Sequence, residues 1–418
     1  MTSSPQHPHA HGRARAVRAA AFALAGAAVL ASGGARAEDC VNLPNPILGI
    51  GGSAATNLIK RIGTKLAAAN PPITVVYADP GACQAMTALV PNATTSQVTP
   101  LSGTAKIWNA QGVESTCTFP SGSTTVAEWG AMAQEATTCQ GIEALPATVG
   151  DYRGPISGFS LIVPNASSEF AISAEAVYYI YGLGAGTGHD VAPWTVPAAI
   201  GSRSTTSAAG LLLAKASGIP LSRALAYLPT NDVKTNQGAV DFITSTSAAA
   251  VQNPNAALAF CSTETADANR AKVRTLAFKA VDQDYAYFPD SSATATDKKN
   301  LREGRYFLWN VHHFFANKER LAANPNLQKF INIVTSTEEI PGNQSFLDLQ
   351  IANGNVPTCA MKVTRQGDMG PLSSFSPDKP CGCYFDFKTT GSTTCKTCAN
   401  DNECGTGSVC SHGYCEVK

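Results

Sequence analysis

Three times along the chain a short apolar run ends in a turn of small residues, and a helix-like segment follows at once. The stretches are GIGGSAATN (49–57), ADPGACQAM (78–86) and GSRSTTSAAG (201–210). A strand that hands over to a helix within a few residues, and does so repeatedly, must return by crossovers and builds an α/β sheet. The flanking pieces agree. PILGI reads as a strand. SAATNLIKRIGTKLAAA puts Leu58, Ile59, Ile62 and Leu66 on one helical face. ITVVYA is β-branched and strand-like, Pro80-Gly81 breaks it, and CQAMTALV reads as a helix.

Elsewhere the pattern varies. TPLSGTAKIWNAQGVESTCTF reads as an inserted β-hairpin, and GFSLIVPN as a strand. SAEAVYYIYG predicts a helix capped by Ser173. AIGSR and TTSAAGLLLAKASG repeat the strand–turn–helix order; ALAFCSTE and RYFLWNVHHFF predict buried strands. Helices near 315–335 and 344–352 close the body. There is no repeat at a solenoid period.

The first residues read as an export signal. Arg13, Arg15 and Arg18 precede the apolar run AAAFALAGAAVLAS, and Ala35-Arg36-Ala37 offers a cleavage site, so residues 1–37 are expected to be removed. Cys40 raises the question of a lipid anchor, but Glu38 and Asp39 stand where such a signal has small apolar residues. No later stretch is long and apolar enough for a membrane span. The chain has 30 basic and 30 acidic residues. Four of the arginines and none of the acids fall in 1–37, leaving a mildly acidic chain without the basic footprint of nucleic-acid binding. The expected location is periplasmic or extracellular.

Export also governs the reading of the 13 cysteines, for which disulfides are the default. The odd count leaves one over, and Cys261 in the apolar ALAFC is the candidate buried thiol. Eight cysteines lie from Cys359 onward. A zinc site would show a second C-x2-C or paired histidines beside Cys395 and Cys398. The tail holds only His412, so it reads as a disulfide-stapled module too small to hold a core without its staples.

Each of the three turns presents backbone N–H groups where a helix begins. Those groups lack intrahelical partners, and the helix dipole favours an anion there. Ser and Thr are also ordinary caps, so one such turn reads as a cap as readily as a cradle. Three in one α/β chain point towards binding. Arg203 adds a planar charged fork, and Ser207, four residues on, is placed to share an anion with it.

In the strand–GGS–helix opening, the YADPGAC turn and R-x-x-x-S at 203–207, the chain resembles the phosphate-binding proteins of ABC transporters, over about residues 45–340. The resemblance implies an α/β fold of two lobes, periplasmic-binding-protein-like (type II), with the ligand in a cleft between them. It implies lobe 1 from 38–155 and 304–375, lobe 2 from 156–303, and a Cys-rich module at 376–418. The crossovers would lie near Tyr152–Ile156 and Gly304–Tyr306. Carried over, the ligand contacts fall on Gly52 and Ser53, on Gly81, Ala82 and Cys83, and on Arg203 and Ser207. The sequence departs from the family at Ala82, where a serine is usual, and at Ser207-Ala208-Ala209, where the family has Ser-Gly-Thr. It departs again at Ala133, which matches an aspartate that accepts the ligand's proton; Glu135 is the nearest carboxylate in the sequence.

Other features carry less. YGLGAGTGHD lacks the G-x-G-x-x-G spacing and follows a helix, so it reads as a loop. His312 and His313 alternate faces on a strand and suit hydrogen-bonded core or cleft positions better than a shared metal. His189-Asp190 stands in a loop, and no G-x-S-x-G elbow supports a hydrolase. The four tryptophans suit core packing. The expectation is a non-enzymatic solute-binding protein without cofactor or metal, holding a small inorganic anion such as phosphate, with an ABC permease or sensor as partner. The alternative is an interaction protein on a degenerate scaffold that reaches a cell-surface partner through its Cys-rich tail.

Overall fold

A computed structural model of the chain describes residues 38–203, 207–220, 223, 231–245, 252–342 and 344–418. The export signal expected at 1–37 and the hydroxyl residues at 204–206 lie outside the described residues.

Strand β1 (Pro46–Gly51) pairs in parallel with β2 (Thr74–Ala78) on one side and with β5 (Trp129–Met132) on the other. Burial on both faces suits its unbroken apolar run. Gly49 is required there, because a Cβ would lie 2.2 Å from the Trp129 ring. Helix α1 (Thr56–Ala67) connects β1 to β2 and buries the predicted face of Leu58, Ile59, Ile62 and Leu66. Helix α2 (Gln84–Leu89) follows β2. The expected hairpin is β3 (Gly103–Trp108) with β4 (Glu114–Phe119), on the β2 edge.

β6 (Val149–Pro164) is 16 residues long and changes partners along its length. Its first part pairs with β11 (Trp309–Asn317), and its last part with β8 (Ala259–Ser262) and β9 (Val273–Thr275). The order is β4-β3-β2-β1-β5-β11-β6-β8, with β9 also on β6. Only β2-β1-β5 is parallel, so the sheet is mixed rather than a plain crossover sheet. β7 (Ala171–Ser173) and β10 (Ala277–Lys279) form a separate parallel pair.

Local caps follow the sequence. Ser173 Oγ accepts from the Ala176 amide and starts α3 (Ala174–Val177), but a π-helical segment replaces the rest of the expected helix from Tyr178 to Gly184. AIGSR makes only isolated bridges, Ile200 to Leu258 and Ser202 to Asp232, because its partners are single residues rather than a strand. Then come α4 (Ala208–Ala216), α5 (Asn236–Thr244) capped by Thr235, α6 (Thr263–Ala268) and α7 (Lys299–Arg302). After β11 the chain closes with α8 (Lys318–Ala323), α9 (Pro325–Val334) and α10 (Phe346–Asn353). Among the described residues no helix is long and apolar enough to cross a bilayer.

Beyond α10, β12 (Val363–Arg365) and β13 (Leu372–Ser374) form a small hairpin. Helix α11 (Gly382–Thr390) leads into the hairpin β14 (Ser408–Ser411) and β15 (Tyr414–Val417). Disulfides Cys383–Cys395, Cys398–Cys410 and Cys404–Cys415 staple this end, and Cys359–Cys381 ties its start to the body. The sulfurs of Cys398, Cys404 and Cys415 cluster as members of two of those bridges. Cys40–Cys117 and Cys83–Cys139 complete the set, leaving Cys261 buried as the free thiol. The segment is not an appendage: Phe385 of α11 belongs to the main apolar core.

Candidate functional site

The three strand–turn–helix stretches converge. The turn after β1, the turn after β2 and the start of α4 line one cavity of about 160 Å³, together with Asp79, Ala133, Lys234 and Asn236. Gly52, Ser53, Gly81, Ala82, Arg203 and Ser207 are all on its wall.

Arg203 is 4 % exposed. Its Nη1 donates to Asn236 Oδ1 at 2.9 Å, and its Nη2 donates to Ser53 Oγ at 3.2 Å and to the Lys234 carbonyl at 3.4 Å. Nε is buried without an acceptor. Among the described residues no carboxylate forms an ion pair with it; the Asp232 carboxylate binds Lys234 at 2.6 Å instead. Burial pulls the Arg203 pKa below its ordinary value, opposed by the neighbouring Cys261 and Asp232. A guanidinium stays charged even so. The wall therefore holds a desolvated cation whose partners are neutral oxygens, an arrangement that an anion would complete.

The serines are available. Ser207 stands at the N-cap position of α4, yet its hydroxyl makes no capping hydrogen bond. Arg203 lies before that helix, so the two do not share a helical face as their spacing suggests, but they meet at the cavity. Ser53 precedes α1, whose N-cap residue is Ala55 and also makes no side-chain cap. The glycines serve another purpose. The Gly52 amide binds the Ala131 carbonyl at 3.0 Å and the Gly81 amide binds that of Gly51 at 3.2 Å, so neither N–H is a free donor. They let the turns approach: a Cβ on Gly52 would lie 3.1 Å from that of Ala82. Among the described residues the amides of Ser53, Ala54 and Ala82 have no backbone acceptor, which leaves them as donors.

Cys83 is off the cavity wall and bonded to Cys139. Gln134 Nε2 lies 3.1 Å from both sulfurs, so this bridge pins the second turn to the segment after β5. Ala133 lines the cavity as the resemblance implies, but Glu135 does not. The carboxylate on the wall is Asp79, whose Oδ2 accepts from Thr56 Oγ1 at 2.9 Å and from Lys106 Nζ at 2.7 Å. Asp79 stood inside the quoted turn. Lys234 and Asn236 had one signal, the Thr235 helix start, which sequence reasoning passed over.

The other candidates lie elsewhere. His313 Nδ1 is 2.8 Å from Asp151 Oδ1. His312 departs from the expected hydrogen-bonded histidine: it is fully buried in a strand irregularity with both ring nitrogens unpartnered, and burial pushes its pKa down to about 3. Asp190 accepts from the Gly186 amide and shapes the glycine loop. All four tryptophans are buried. The Cys261 thiol, its pKa pushed up first by burial, is kept protonated and inert. A larger cavity of about 690 Å³ lies beside α1, α6, α10 and α11, away from the convergent turns.

No protein-family profile matches the chain, and no curated protein matches it by sequence. Solved structures do resemble it. A protein described as a phosphate ABC transporter substrate-binding protein with bound phosphate, from Clostridium perfringens, aligns at 12 % identity over 75 % of this chain and 100 % of its own, with a TM-score of 0.48. An ABC-type phosphate transport receptor from Vibrio cholerae aligns at 15 % identity, 74 % and 99 % coverage and a TM-score of 0.45. A phosphate-binding protein from Stenotrophomonas maltophilia gives 13 % identity, 75 % and 90 % coverage and a TM-score of 0.43.

Proposed function

We propose that the protein is an exported, non-enzymatic solute-binding protein that holds a small oxyanion, phosphate first among them, in the cavity between its lobes. One observation carries this reading: Arg203 is a buried cation that forms no ion pair with a carboxylate among the described residues, set into a wall otherwise rich in donors. The cavity is small, and its donors come from several directions, which suits a tetrahedral anion better than a flat one. Ser53, Ser207 and the amides near 53 and 82 would take the oxygens, and Lys234 would add charge at the rim. A permease or sensor would then receive the ligand.

The test is titration calorimetry of the oxidised protein with phosphate, sulfate and small carboxylates in turn. Saturable one-to-one binding of phosphate is expected, with affinity falling about 100-fold or more in Arg203→Ala, since two charged hydrogen bonds are lost. Failure of every anion to bind would overturn the reading. The alanines at 82, 133, 208 and 209 on the wall favour the second reading, a degenerate scaffold used for interaction. That outcome would move the search to the exposed face of the C-terminal segment.

A further inference from the structure

Helix α11 lies between α10 and α7, which the two-lobed reading assigns to different lobes, and is bound to each by a different face. On one face Tyr384 Oη donates to Asp348 Oδ1 at 2.6 Å, and Lys388 Nζ reaches the same oxygen at 3.0 Å. Asp348 belongs to α10, which packs with α1 through Phe346 and Leu349. On the other face Asp386 and the Gly382 carbonyl take Arg302, and the Thr389 carbonyl takes Thr296 Oγ1 at 3.3 Å. Arg302 also lies 4.8 Å over the Phe385 ring and donates to the Ala360 carbonyl at 3.0 Å. Arg302 ends α7, whose Leu301 fills the space over Gly158. Just before α7, Lys298 is bonded to Asp267 of α6 at 2.7 Å. Positions 384 and 388 fall on one side of a helix, and 382, 386 and 389 on the opposite side.

The seam continues beneath the helix. The cavity of about 690 Å³ is walled by Arg61 of α1, Glu264 and Asp267 of α6, the end of α10, and Phe385 and Lys388 of α11. At its floor Glu264 Oε1 accepts from Ser157 Oγ of β6 at 2.9 Å and from Asn355 Nδ2, just after α10, at 2.7 Å. Arg61 stands about one and a half turns along α1 from the end that carries the anion cavity. Any rotation that parts the lobes at Ser53 and Arg203 must therefore also draw α10 away from α6 and α7.

We propose that α11, with the disulfide knot behind it, is a strap across the two lobes that limits their separation and so slows exchange of the ligand. The proposal rests on the two-lobed reading for the restraint and on the anion-binding reading for its kinetic consequence. The two attachments differ in strength. On the Arg302 side the arginine side chain is 7 % exposed, although its partner Asp386 is 38 % exposed. The Asp348 side is wet, with Asp348 and Lys388 side chains 31 % and 39 % exposed. The Asp348 side is the one that releases.

The experiment uses the oxidised full chain and two sets of substitutions at the wet attachment, the pair Tyr384→Phe with Lys388→Gln, and Asp348→Asn alone. Neither leaves a buried charge unpaired, and the second changes only the α10 side should the first fail to fold. Small-angle scattering and hydrogen exchange are read without ligand; phosphate dissociation is followed by stopped flow. The radius of gyration of the free protein should rise, and amides at 264–268 and 350–356 should exchange faster. Phosphate should dissociate about tenfold faster, the change given by ~1.4 kcal/mol of lost restraint. Folded variants with wild-type scattering and exchange would overturn the strap. If wild type binds no phosphate, the anion reading fails, while scattering and exchange still decide the strap.

Discussion

At the scale of single residues the site turns on whether Ser207 caps or binds. Its hydroxyl caps nothing, whereas Thr235 Oγ1 accepts from the Gly238 amide at the start of α5. Thr235→Ala should therefore cost about 1 kcal/mol of stability. Ser207→Ala should cost under about 0.5 kcal/mol of stability in urea melts, but about tenfold in phosphate affinity. A stability loss at 207 equal to that at 235 would make it an ordinary cap. Arg203→Met offers the converse. It replaces a buried cation that forms no ion pair by an apolar side chain of similar length, so the ligand-free protein should gain roughly 1 kcal/mol or more while losing anion binding; a lowered melting temperature would contradict this. That Ser53, Arg203 and Ser207 stand on one cavity wall was foreshadowed because small residues at helix starts are a local signal. Asp79 as a wall carboxylate held by Lys106 was not, since that contact needs the β2–β3 pairing.

Among elements, the link from β10 to α7 shows how charge is buried. Lys298, in a left-handed conformation at φ 47°, binds Asp290 at 2.9 Å and Asp267 at 2.7 Å, while Arg270 binds the same two acids at 3.0 and 2.6 Å. Burial would lower the Lys298 pKa, but Asp267 and Asp290 outweigh it and hold it above its ordinary value. Lys298→Met should destabilise by about 3–5 kcal/mol, because it strands a buried carboxylate. Urea denaturation checks this, and a loss below about 1 kcal/mol would show that Arg270 alone suffices. Asp267 and Arg270 stand at an i,i+3 spacing, but their contacts with 290 and 298 follow no helical or strand period and were not legible. Many helices and strands were, down to the buried face of α1, because periodicity is local, but AIGSR makes only isolated bridges and Tyr178–Gly184 is π-helical.

For the molecule as a whole, two buried groups set opposing pH dependences. His312 has its pKa lowered from 6.5 to about 3 by burial first and by His313. Its contribution to stability is complete above 6.5 and is lost as pH falls towards 3. Glu264 has its pKa raised from 4.5 to about 7, chiefly by burial. Its contribution is complete below 4.5 and is lost as pH rises through 7. Each has a slope of at most about 1.4 kcal/mol per pH unit. Between 4.5 and 6.5 they oppose, so wild-type stability should be nearly flat from these two. His312→Leu should leave stability that falls as pH rises across that window, and Glu264→Gln stability that climbs. Parallel profiles for wild type and both variants would refute the assignment. The α/β class was legible from the order of elements; the seat of β11 and the docking of α11 were not, because both rest on partners far away in the chain.

The position of β11 has a consequence for how the chain reaches this state. It is the strand that fills the gap between β5 and β6, and its contact from His313 to Asp151 spans 162 residues. Until residue 317 is present, β5 and β6 each keep an open hydrogen-bonding edge. Fragments ending earlier hold two half-sheets with sticky margins and should aggregate rather than fold. Maturation is thus gated by the arrival of the middle of the sheet, and a chain stalled during synthesis is a hazard until that strand emerges.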